Sequence, residues 1–528
     1  MKKSLNINEL TLEQKIGQLL MVRGFIDDND RKFIYEMMEK RAVGAIQVPW
    51  NLCDYAKEIE EINKHADYPI IIYSDMERGF PPDGNTIPCA MSLSITGNEE
   101  IAYQFGATTA IDAKRNGYNT VGGPVVDLLD GFNLFNVPRS FGSDLEHVSK
   151  MTSAVLRGEK DNGVLAIMKH WPIAPDVRRD DHVFDDKSKL TEEEVINSVL
   201  VPYLYAMEHE GVDAIMTAHA YYPQIDDTYP ATLSEKLIGI LRGHGYNGLL
   251  MTDSFAMMGI LQNFGEANGY ALAIKAGHDL ILPNYRTPFK TAYEYLLDSY
   301  KKGAFSEERL NEAVQRVITA QNITMGKATA NEISDYQKKC FETIEKDSIC
   351  LIKDDDASVT PKQNSKKLFV LIKENYYREG VDITFEISET GGITDKNIDT
   401  IKEKIIAKFP ECDITVANQY PCAPQVETVC QKAIDADEII FITYSTSGCY
   451  TLGGEFTPQL IHLMEAVGED KLSCIIHIGN PYPLEATPHF ARRLISVGGG
   501  VKSIEKCLSV LNGEYEPKGK LPFELILK

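Results

Sequence analysis

Short runs of aliphatic and β-branched residues recur through the first 285 positions, separated by longer stretches with polar residues at helical spacing. The runs are QLLMVRGF (18–25), VGAIQV (43–48), PIIIYSD (69–75), VGGPVVDLL (121–129), VLAIMKHW (164–171), VDAIMTAHA (212–220), GLLMTDS (248–254) and HDLILPN (278–284). Each is apolar nearly throughout, the pattern of a strand buried on both faces. Between them, Glu99 to Arg115, Glu192 to Glu210 and Glu266 to Ala276 have helical spacing. Thr11 with Gln14, and Thr191 with Glu194, have the spacing of capping boxes that open helices. Eight buried strands alternating with helices over about 300 residues predict a (β/α)8 barrel rather than a doubly wound sheet.

The texture changes near residue 330. The stretch from Lys327 to Asn364 is polar, carries the acidic run Asp354, Asp355 and Asp356, and reads as a linker, placed at 331–365. A second α/β series follows with runs at 368–373, 412–417, 438–445, 473–479 and 493–498. This predicts a smaller open sheet with helices on both faces, over 366–528.

Composition narrows the function classes. The chain has 528 residues, 43% hydrophobic and 25% charged, as a globular protein of two domains should. Its formal charge of −23 makes it a poor partner for nucleic acid or anionic lipid. Polar residues follow Lys2 and Lys3 where a signal peptide needs an apolar run, and no apolar stretch approaches 18 residues. The ten cysteines form no CxxC pair, and eight lie after residue 339. Metal-ligand spacing is absent, and reduced thiols in a cytoplasmic protein are expected.

In a barrel, chemistry gathers at the C-terminal ends of the strands. Those ends carry Asp75 and Glu77, Asp127, Lys169 and His170, His219, Asp253 and Asn284. Carboxylates, a lysine and histidines suit polyol recognition and acid–base work. Asp253 stands between a strand and a helical stretch, either as a nucleophilic carboxylate or as an ordinary helix cap. His182 lies in a polar loop, where Asp180 can fix its tautomer and keep it basic; a solvated charged loop is the plainer reading. Lys169 and His170, ending a buried strand, require partners.

These segments resemble glycoside hydrolase family 3, in its β-N-acetylhexosaminidase branch. EQKIGQLLMVRGF, PIIIYSDMERG, TIPCAMSLS, NVPRSFGSD, KHWP, VDAIMTAH and GLLMTDSFAMMG occur in family order, and HIGNPYPL and GEYEPKGKLPFEL are similar to its companion domain. The resemblance implies a retaining exo-β-N-acetylglucosaminidase acting on cell-wall or chitin-derived oligosaccharides with terminal GlcNAc. Asp253 would be the nucleophile, and His182 with Asp180 the acid and base. Asp75, Arg139, Lys169, His170 and His219 would bind sugar hydroxyls. No cofactor or metal is implied, and a monomer or homodimer is expected. Related readings are a β-glucosidase drawing its acid from Glu455, a phosphorylase, and a sugar-binding homologue without catalysis.

Three departures bear on these expectations. Ile173, Ala174 and Pro175 stand where the branch has Gly-His-Gly, so a mobile loop is expected either to be stiffer here or to be shaped for a different aglycone. Arg78 replaces a glycine. Arg178 and Arg179 precede the Asp-x-His pair, either to bind an anionic group or to pair with Asp176, Asp181, Asp185 or Asp186.

Overall fold

A computed structural model describes residues 2–51, 53–130, 136–326, 332–374, 392–445 and 455–528. The chain forms two compact units. The first comprises Met1–Thr86, Asn98–Asn133 and Ser143–Cys340; the second comprises Ile87–Gly97, Leu134–Gly142 and Phe341–Lys528.

The first unit is the expected barrel. Its strands are β1 (Met21–Val22), β2 (Ala45–Gln47), β3 (Ile71–Asp75), β4 (Thr120–Val125), β5 (Leu165–Trp171), β6 (Ala214–Thr217), β7 (Leu249–Ser254) and β8 (Leu280–Leu282). They pair in sequence order and in parallel. A parallel bridge between Leu20 and Ile281 returns the last strand to the first. Inward residues fill the interior: Met21, Ala45, Ile71, Leu165, Ile167, Met216 and Met251 share one buried cluster with Val317 and Ala320 of helix Glu307–Ile323. Leucine, isoleucine, methionine and alanine make up most of this cluster, so the barrel is a packed core and its chemistry gathers at the rim.

The helices follow the sequence signals closely. Glu99–Arg115 and Glu266–Ala276 form as predicted, and both capping boxes are made. The stretch expected as one helix from Glu192 to Glu210 is two, Glu192–Asn197 and Val201–His209. Pro202 explains the break, because it lacks an N–H and its ring would clash with the Ser198 carbonyl in a continuous helix.

The second unit carries a six-stranded sheet: β9 (Ile349–Lys353), β10 (Lys367–Lys373), β11 (Asp413–Asn418), β12 (Glu438–Ser445), β13 (Leu472–Gly479) and β14 (Arg492–Ser496). Its order is β9-β14-β13-β12-β10-β11, parallel except for β9, which runs antiparallel to β14. The expected linker is therefore partly regular structure, holding helix Asp335–Asp347 and the edge strand β9. Five residues in polar surroundings gave that strand no signal; pairing with β14 creates it. Segments 87–97 and 134–142, expected within the barrel region, cluster with this unit.

Candidate active site

The rim of β3 to β7 brings most of the expected residues of the first unit into one polar network. Lys169, on β5, is 2% exposed, and its Nζ sits 2.6 Å from Asp75 Oδ1 and 2.7 Å from Glu77 Oε1. Two carboxylates around a buried ammonium supply the partners that burial requires. Tyr73 Oη donates to Asp75 Oδ1 at 2.5 Å, and Gln47 Nε2 to Asp75 Oδ2 at 3.3 Å. Asp75 is nevertheless half exposed, so its carboxylate faces the mouth. Gly122, on β4, makes room for this arrangement: a Cβ there would lie 2.4 Å from Tyr73 Oη and 2.8 Å from Asp75 Oδ1.

The register of β5 against β6 shifts between Lys169 and Trp171, and the Lys169–His170 peptide is cis. Lys169 and His170 both find partners at the rim. Asp127 accepts the His170 backbone N–H at 2.8 Å, and its other oxygen lies 2.9 Å from Nδ1. That clamp leaves Nε2 on the far side, 3.8 Å from Asp253 Oδ2.

Asp253, near the end of β7, is 16% exposed and accepts the Ser254 N–H at 2.6 Å. Burial alone would raise its pKa. The charges of His170, His219 and His182, with the Ser254 N–H, outweigh that effect and hold it at about 2. Asp253 is therefore a carboxylate throughout the neutral range. The same influence places the ring of His182 within electrostatic reach of Asp253.

His182 belongs to the long loop after β5. Asp180 accepts its backbone N–H at 3.0 Å and lies 2.6 Å from Nδ1. Asp180 is buried, while the imidazole is 20% exposed, which sets Nε2 opposite the carboxylate. The loop base is anchored in the core: Ile173, Ala174 and Val177 are buried, and the Tyr222 hydroxyl donates to the Pro172 carbonyl at 2.7 Å. Farther along, Asp186 Oδ2 accepts the N–H groups of Arg178 and Arg179 at 2.6 and 2.7 Å. The Arg179 guanidinium approaches Asp186 at 3.8 Å, as the pairing reading expected.

His219 is 0% exposed, with Nδ1 at 2.7 Å from Thr232 Oγ1 and Nε2 at 3.1 Å from the Ser254 carbonyl. Both nitrogens are engaged by protein groups, and burial lowers the pKa of the ring. Arg139 lies in segment 134–142 of the second unit, half-buried, with its N–H on the Asn136 carbonyl. Glu455 is exposed. Asp127 and Glu77 were visible as strand-end acids; Tyr73 and Gln47 carried no comparable signal. Among the described residues, only Asp180, Asp181 and His182 come close enough to one another to suggest a metal site, and Asp180 already holds the His182 ring.

The chain is similar to several known proteins. The family model described as the glycosyl hydrolase family 3 N terminal domain matches residues 11–320. The chain is 32% identical over 232 residues to a beta-hexosaminidase of Tolumonas auensis, covering 42% of this chain and 69% of that protein. It is 25% identical over 327 residues to a beta-N-acetylglucosaminidase/beta-glucosidase of Cellulomonas fimi, covering 59% of this chain and 57% of that protein. The solved structure of a glycoside hydrolase family 3 beta-N-acetylglucosaminidase from a Paenibacillus species superposes with a TM-score of 0.80 at 25% identity, over 98% of this chain and 100% of that one. No described helix is long and apolar enough to cross a membrane.

Proposed function

Because the chain belongs to glycosyl hydrolase family 3, we propose that it is a retaining exo-β-N-acetylglucosaminidase. Its substrates are oligosaccharides ending in β-linked GlcNAc, of the kind that cell-wall and chitin breakdown releases. The observation that carries this reading is the charge state of Asp253: a carboxylate held at about 2, beside an imidazole whose Nδ1 another carboxylate holds. The names of the relatives support the sugar class.

In the first step Asp253 attacks the anomeric carbon as the bond to the leaving oxygen breaks. The His182 imidazolium gives its Nε2 proton to that oxygen. In the second step neutral His182 takes a proton from water, which displaces Asp253 and restores the β configuration. One imidazole can serve both half-reactions, giving a proton and then taking one, and Asp180 fixes the tautomer that each needs. Asp75, Lys169 and the clamped ring of His170 supply directed polar groups for the sugar. The departure from two carboxylates flanking the bond lies in the histidine alone.

The test is a leaving-group comparison with aryl β-GlcNAc substrates. His182→Ala should lose at least about 100-fold on a poorly activated aryl glycoside and far less on a dinitrophenyl one, which needs no proton. Asp253→Ala should be inactive on both. Equal losses on both substrates in His182→Ala, or an active Asp253→Ala, would overturn the assignment.

A further inference from the structure

Between Asp180 and His182 lies a third buried side chain, Asp181, with its own set of contacts. Its Oδ2 accepts the backbone N–H of His219 at 3.3 Å, at the end of β6. Its Oδ1 lies 3.8 Å from His182 Nδ1, on the ring that Asp180 also holds. The backbone of the same two residues is docked on the opposite side. Gly259 N–H donates to the Asp181 carbonyl at 3.0 Å, and Met258 N–H to the His182 carbonyl at 3.1 Å. Both donors open helix Met258–Phe264, which follows β7 directly. Gly259 is needed there, because a Cβ would lie 2.9 Å from the Asp181 carbonyl oxygen and 3.0 Å from that of Phe184.

The two residues of the proposed chemistry are therefore tied through one connection. Asp253 ends the strand, and the turn after it grips the loop that carries His182. We infer that Asp181 is a positioning residue. It pins the His182 loop to the barrel rim before substrate arrives, and it places a second carboxyl group beside the imidazole. This rests on the reading of His182 as acid and base. In that role the loop needs no large swing, which accords with Ile173, Ala174 and Pro175 at its base.

The titratable groups that face Asp181 are Asp180 and His182 on its own loop, His219 from β6 and Asp253 from β7; the helix contributes only the backbone of Met258 and Gly259. Burial raises the Asp181 pKa above the ordinary carboxylate value, and the two imidazoles oppose that rise only in part. An ionised Asp181 stabilises the imidazolium that must protonate the leaving oxygen.

The experiment is the pH profile of kcat/KM for Asp181→Asn on the same two aryl glycosides. The basic limb reports loss of the acid's proton. Asp181→Asn should move that limb down by about one pH unit, the scale of one charge beside a partly buried imidazole. It should cost about tenfold on the poor leaving group and little on the activated one. Asp181→Glu should restore the limb, and Asp181→Ser replaces the amide should that variant not fold. Gly259→Ala displaces the loop without removing charge, and should lower the rate with the limb in place. An unmoved limb in Asp181→Asn, or a limb that moves as far in Gly259→Ala, would overturn the proposal. His182→Ala run alongside separates the two readings: if it lacks the leaving-group dependence, the acid–base assignment itself fails.

Discussion

Asp279 offers a quantitative test of how the barrel holds the strand that carries Asp253 in place. It is 0% exposed, immediately before β8. Its carboxylate meets Arg242 at 3.0 Å, Arg309 at 2.5 Å and Arg316 at 3.3 Å. Leu250 N–H, on β7, donates to Oδ2 at 2.9 Å, and the Leu250 carbonyl accepts the Asp279 N–H at 2.8 Å. One carboxylate thus joins β7, β8, helix Glu235–Gly243 and helix Glu307–Ile323. Asp279→Ala would leave three guanidiniums facing one another, with Arg242 already buried enough to push its pKa down. Removing one partner of a buried charge network costs about 3–5 kcal/mol. For a unit this large that is a fall in Tm of about 4–7 °C. Asp279→Asn, which keeps the volume and one acceptor, should lose less. Both tryptophans, Trp50 and Trp171, lie in this unit, so urea unfolding followed by their fluorescence reports the barrel without the second sheet. A loss below about 1 kcal/mol would refute the claim that this node fixes the barrel.

Two further outcomes follow from the same contacts. Gly122→Ala would drive a methyl into Tyr73 Oη and Asp75; KM for aryl β-GlcNAc should rise at least about tenfold while the far-UV circular dichroism stays native. Glu159, on helix Leu145–Asp161, is buried with Oε2 unpartnered, and burial raises its pKa well above the ordinary 4.5. In the unfolded chain it ionises near that ordinary value, so stability is fullest below it and falls as pH rises. Glu159→Gln should therefore gain stability over wild type as pH rises from about 5 to 8 in thermal melts. A constant difference across that range would refute the assignment.

Local pattern and spacing were enough to place the eight strands and the helices between them. Buried parallel strands must be apolar on both faces and helices must be capped, and both demands leave marks on neighbouring residues. The strand-end acids and bases were visible for the same reason: a polar residue ending an apolar run stands out. Other features depend on residues distant in sequence and left no local mark. Strand β9 exists because β14 lies beside it. His219 points inward because Thr232 and Ser254 occupy its two nitrogens, although its position resembled that of a sugar ligand. The charge on Asp253 depends on three imidazoles from three separate segments, and the grip on Asp181 comes from a helix nearly eighty residues later. Coulomb forces and hydrogen bonds act through space, so the electrostatics of this rim became legible only once the barrel had closed.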